Sequence, residues 1–146
     1  MVTGDKVKVT VDWNGKRRFT ASGSSGESVL MDASSDLGGE GSGHTPKELL
    51  LSSLAGCMGI GVVHTLEKMR QQLDSLNIGA AGERDCEPPH ALRNVVLTFT
   101  AAGEVDVKRF QRAIMLEKEK YCPVAASLNT ELIVRLILNG QLVELE

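Results

Sequence analysis

The stretch TPKELLLSSLAGCMGIGVVHTLEKMRQQL, residues 45–73, decides the fold. Thr45 is a good helix N-cap, Pro46 suits the first helical position, and Glu48 completes a capping box. The pattern predicts one helix of about 28 residues ending at Leu73, unusually long for a chain of this size. Residues 49–63 are apolar or small on nearly every face, so that half reads as buried all round. Residues 67–72 are polar except for Met69, and that half approaches solvent. Gly56, Gly59 and Gly61 crowd around Cys57. Each glycine inside a helix costs about 1 kcal/mol relative to alanine, so three of them imply close approach by another backbone or by a small substrate.

Working outward, VKVTVDW (7–13) alternates apolar and polar residues and reads as a strand. A turn at Asn14-Gly15 returns the chain through RRFTAS, and SVLMD follows as a third short strand. Residues 33–44 are rich in Gly and Ser and read as a flexible loop without the ending of a phosphate-binding loop. Beyond the helix, LNIGAAGE and NVVLTFTAAGE (94–104) read as strands joined by a loop containing CEPPH. Residues 106–121 form an amphipathic helix whose turns are marked by Phe110, Ala113, Ile114 and Leu116/Glu117. Cys122 then caps a new helix that starts at Pro123, and ELIVRLILNG leads through a turn to QLVELE. The order predicts an α+β fold with mainly antiparallel pairing, in one domain over residues 1–146.

The 146 residues are 42% hydrophobic and 24% charged, with a net charge of −3. That composition reads as globular, and the scattered Lys and Arg argue against a nucleic-acid partner. No uninterrupted apolar run reaches the ~18 residues of a membrane span, and no signal-peptide core opens the chain. A cytoplasmic location follows as the expectation, with no membrane partner. In a reducing compartment, Cys57, Cys86 and Cys122 are reactive, metal-binding or simply buried.

Each cysteine has two readings. Cys57 is a core cysteine or, given the glycines around it, a reactive one. Cys122 sits at a predicted helix N-terminus, where unpaired amides favour a thiolate and Lys118 and Lys120 add positive potential. Cys86 and His90 could begin a zinc site, although no compact ligand spacing accompanies them. His64 lies on the Cys57 face but ~10 Å along a straight helix. Glu48 falls on the opposite face, ~13 Å from Cys57 along the axis, and capping alone accounts for it.

TPKELLLSSLAGC together with KYCPVAASL closely resembles the OsmC/Ohr family, the osmotically inducible and organic-hydroperoxide-resistance proteins. The match runs from Val7 to about Gly140 and rests on the joint pattern: Pro-x-Glu-Leu, a small-small-Cys centre, and Tyr-Cys-Pro-Val downstream. The resemblance implies an intertwined homodimer with two long central helices packed between sheets. It implies a thiol-dependent peroxidase acting on organic hydroperoxides, with Cys57 peroxidatic and Cys122 resolving. No bound cofactor is implied; an external dithiol, lipoyl-type in some members, would restore the thiols.

Two departures accompany the match. Family members carry a glutamate directly after the helix-start proline, paired with an arginine that helps hold the thiolate. Here that position is Lys47, the acid follows as Glu48, and Arg17 and Arg18 are arginine candidates by region only. This places the chain nearer the OsmC-like branch. Local electrostatics favour Cys122 as the activated thiol, whereas the family pattern names Cys57. The alternative function is non-enzymatic: a dimeric small-ligand-binding or redox-sensing module.

Overall fold

Two tight turns and one buried carboxylate organise the first fifty residues. A computed structural model describes residues 4–145, and the chain divides into two compact units, one ending at Leu50 and one beginning at Leu51. In the first, β1 (Thr10–Trp13), β2 (Phe19–Ser22) and β3 (Ser28–Met31) form an antiparallel sheet in that order. The first turn works because Gly15 and Lys16 both take positive φ, closed by an Arg18 N–H donated to the Gly15 carbonyl at 3.0 Å. The segment expected as a flexible loop has a fixed course. Asp32, 2% exposed, accepts hydrogen bonds from the amides of Ala33, Glu40 and Ser42 and from the Ser42 hydroxyl. These bonds hold its carboxyl down to about 2, the Ser42 hydroxyl contributing most.

Helix α1 (Pro46–Lys68) begins as the sequence predicts: the Glu48 amide donates to Thr45 Oγ1, and the Thr45 amide to Glu48 Oε1, both at 3.2 Å. It ends five residues early. Arg70 adopts φ +58, Gln71 N–H reaches the Leu66 carbonyl at 2.8 Å, and Arg70 N–H reaches that of Glu67 at 3.0 Å. This pair of bonds is a Schellman stop, built without the glycine that would have signalled it. Leu73, expected as the last helical residue, lies instead in β4 (Gln72–Arg84).

In the second unit β4 pairs antiparallel with β5 (Leu92–Glu104), β5 pairs parallel with β6 (Glu131–Leu138), and β6 turns back antiparallel into β7 (Gln141–Val143). Between β5 and β6 come α2 (Val107–Leu116), a π-helical turn over Glu117–Tyr121, and α3 (Pro123–Ser127). The fold is α+β, as expected.

The core of this unit explains why α1 stays put. Leu54, Met58, Val62 and Leu66 recur every four residues down one face and are fully buried. They pack with alternate β5 residues (Val95, Leu97, Phe99), with Phe110, Ala113 and Ile114 of α2, and with Leu136 of β6. Burying each such side chain contributes roughly 1.5–3 kcal/mol. By length and composition alone α1 is long and apolar enough to cross a membrane, a test that the core helix of a soluble protein also passes. One face of it, the stripe from Leu54 to Leu66, is buried in this core.

Candidate active site

Cys57 lies on α1 between Leu54 and Met58 and is half-buried against the core. Cys122 arrives from the far side of the sequence. The π-helical turn closes with a Cys122 N–H donated to the Glu117 carbonyl at 3.0 Å, and Pro123 starts α3 directly afterwards. The two sulfurs stand 3.0 Å apart, with the Cys122 S–H directed at Cys57 Sγ. The Ala125 amide donates to Cys122 Sγ at 3.4 Å, the cap that the sequence predicts.

The electrostatics of Cys122 overturn the expectation drawn from its helix terminus. Burial pushes its thiol above the ordinary value, and the hydrogen bond it gives to Cys57 adds to this. The amides of Ala125 and Val124 pull the other way but do not win. A five-residue helix and two amides cannot offset near-complete desolvation of the sulfur. Burial therefore disfavours the Cys122 thiolate. From 3.0 Å the sulfurs need only a short approach to the ~2.05 Å of a disulfide.

The glycines around Cys57 now separate. A Cβ at Gly59 would meet Ile78 Cδ1 of β4 at 2.8 Å, so this glycine serves sheet-on-helix packing. A Cβ at Gly61 would overlap the carboxyl group of Glu117, and one at Gly56 would meet nothing. Glu117 is itself buried, with its carboxyl resting on the bare α1 backbone one turn beyond Cys57. Burial raises that carboxyl above the usual range, and the charge of His64 pulls against the rise. Sequence reasoning gave Glu117 no role beyond marking a helix turn. The signal was there: it occupies the position that continues the Phe110–Ala113–Ile114 stripe, where an acid is out of pattern.

The other expected residues lie in local settings of their own, and among the described residues Arg18 Nε is buried without a hydrogen-bond partner. Glu48 completes the cap of α1 and stands 3.7 Å from His44 Nδ1. Those bonds from Thr45 and then His44 lower its carboxyl below the ordinary value. Arg18 donates through Nη2 to the Asn14 carbonyl at 3.3 Å, and Arg17 packs beside Gly38. Cys86 is exposed, and His90 Nδ1 is 3.0 Å from the Asp85 carbonyl oxygen. Among the described residues no cluster of three metal-binding side chains forms. Of the apolar residues near Cys57 along α1, Leu54 and Met58 are sealed in the core, while Leu50 and Ile60 are exposed.

The sequence profile of the OsmC family, described as OsmC-like protein, matches residues 39–136. The chain belongs to the OsmC-like family. Protein YhfA of Escherichia coli K12 is 32% identical over 124 residues, covering 84% of this chain and 89% of YhfA. The crystal structure of a hypothetical protein from Aquifex aeolicus VF5 superposes with a TM-score of 0.78 at 28% identity, over 93% of this chain and 99% of that one. An organic hydroperoxide resistance protein from Elizabethkingia anophelis, at 16% identity, shares the fold with a TM-score of 0.72 over 95% and 100% of the two chains. Within this OsmC-like frame, Cys57 and Cys122 both fall inside the matched residues, as do Lys47 and Glu48, whereas Arg17 and Arg18 precede them.

Proposed function

We propose that this OsmC-like protein is a thiol-dependent peroxidase that reduces organic hydroperoxides in oxidative-stress defence. The observation that carries the reading is the 3.0 Å approach of Cys57 and Cys122 across 65 residues of sequence. Relatives of the same fold that are named for organic hydroperoxide resistance supply the substrate class.

Cys57 is the attacking sulfur. It is the more accessible of the two, and burial disfavours the thiolate of its partner. Attack on the outer oxygen of R–O–O–H breaks the O–O bond, gives Cys57 sulfenic acid, and releases an alkoxide that takes a proton to become the alcohol. Cys122 then displaces the sulfenic oxygen, which leaves as water, and the Cys57–Cys122 disulfide forms. An external dithiol, lipoyl-type being one choice, reduces it through a mixed disulfide. The apolar and small residues of α1 around Cys57 suit an organic substituent better than hydrogen peroxide. Glu48, Arg17 and Arg18 are proposed as supporting charges contributed in the assembled protein.

The assembly is a homodimer in the cytoplasm, acting without nucleic acid or membrane. Trp13 at 66% and Ile60 at 76% exposure are large apolar side chains that a second copy would cover.

Two variants test the chemistry. Cys57→Ser abolishes dithiol-dependent turnover of cumene hydroperoxide, whereas Cys122→Ser lets Cys57 advance to sulfinic and sulfonic acid, read as stepwise oxygen addition in the intact mass. The reverse pattern exchanges the roles. Stoichiometric oxidation without dithiol-driven turnover would instead mark a redox-sensing module, the reading that Lys47 in place of the family glutamate favours.

A further inference from the structure

Glu117 stands at a junction that neither packing nor capping explains. It continues the buried stripe of α2, a position that an apolar side chain would fill more cheaply. Its carboxyl instead rests on α1 at Gly61, the residue one helical turn after Cys57, and would be displaced by any side chain there. Its backbone carbonyl accepts the Cys122 amide and so closes the π-helical turn that delivers Cys122. Among the described residues, no ion pair or side-chain hydrogen bond meets its carboxyl group. One residue therefore touches both supports of the sulfur pair: the helix that carries Cys57 and the turn that carries Cys122. Such π-turns are rare and occur frequently at functional sites.

We propose that Glu117 is a positioning residue for the thiol pair: its carboxyl, seated in the notch at Gly61, locks the turn that holds Cys122 against Cys57. The proposal rests on the reading of Cys57 and Cys122 as a redox pair, and adds to it a control on the closing step. A neutral carboxyl is at home against the helix backbone. An ionised one is drawn toward water, which loosens the turn and slows the approach of Cys122. The titratable group that acts on it from α1 is His64, and Lys118, Glu119 and Lys120 share its own turn. Burial favours its neutral form, while His64 opposes this.

The closing step can be measured without peroxide. In a Cys86→Ser background, which removes the exposed thiol, Ellman's reagent converts Cys57 to a mixed disulfide with thionitrobenzoate. The Cys122 thiol loses its proton to solvent and its sulfur attacks the Cys57 sulfur. The old S–S bond breaks, and thionitrobenzoate leaves as a coloured anion. Its release rate is followed from about pH 5 to about pH 9 for the parent, Glu117→Gln and Gly61→Ala. Gly61→Ala, which evicts the carboxyl, is expected to slow closure about tenfold across the range. Glu117→Gln keeps the shape and cannot ionise. It is expected to match the parent at the acidic end and to outpace it severalfold at the alkaline end. A Gln profile that parallels the parent, or falls below it at high pH, overturns the proposal even if Gly61→Ala proves unstable. No closure in the parent protein removes the redox-pair reading itself, and the proposal with it.

Discussion

Asp32 and Glu117 are both buried carboxyls, and their surroundings drive them in opposite directions. Asp32 gains four donors, so its folded pKa of about 2 lies below the ordinary 3.8. A carboxyl lowered on folding contributes stability that is complete above its unfolded pKa and lost as pH falls through its folded one. Asp32→Asn is therefore expected to lower the urea midpoint at neutral pH, with the gap to wild type closing as pH falls from 3.8 to about 2. Midpoints at several pH values check this. Glu117 has the reverse sign: its contribution is complete at acid pH and is lost as pH rises through its raised value. At this scale the sequence was partly legible. Cys57 and Cys122 stood out as chemical residues from their neighbours alone, but their pairing came from the family resemblance. Spacing along a chain cannot show that a turn folds back onto a helix. The electrostatic argument for an activated Cys122 fails for a related reason, because a helix terminus is visible in sequence and desolvation is not.

The elements were read well where local chemistry sets them and poorly where tertiary contacts do. The start of α1 followed from Thr45, Pro46 and Glu48, and the start of α3 from Cys122 and Pro123. The end of α1 did not, because Arg70 occupies the left-handed position that glycine normally marks. Arg70→Gly should accordingly stabilise the protein by about 0.5–1 kcal/mol by relieving that backbone conformation, measured as a higher urea midpoint with an unchanged slope. Thr45→Ala should cost about 1 kcal/mol through loss of the cap, by the same measurement. The helix predicted over 106–121 proves to be α-helical only to Leu116, after which the π-turn adds the slack that brings Cys122 to α1. Nothing in the composition of EKEKY distinguishes that turn from ordinary helix.

At the scale of the molecule, the order of strands and helices carried the α+β class, and the family match places it among OsmC-like proteins. The division of the chain at Leu50 was not visible, since α1 runs through it without a break in pattern. The apolar residues left exposed, Trp13 and Ile60 among them, are those a homodimer would cover. Light scattering is expected to give twice the chain mass, and Ile60→Glu to shift it toward monomer. A monomeric wild-type protein would rule out the dimer. The central claim is that Cys57 and Cys122 act together on an organic hydroperoxide. The direct test is to add one equivalent of cumene hydroperoxide to the fully reduced protein and record its intact mass and free thiols. The account predicts a loss of about 2 Da, with Cys57 and Cys122 both consumed and joined in one peptide pair. An unchanged mass with both thiols still free would contradict it.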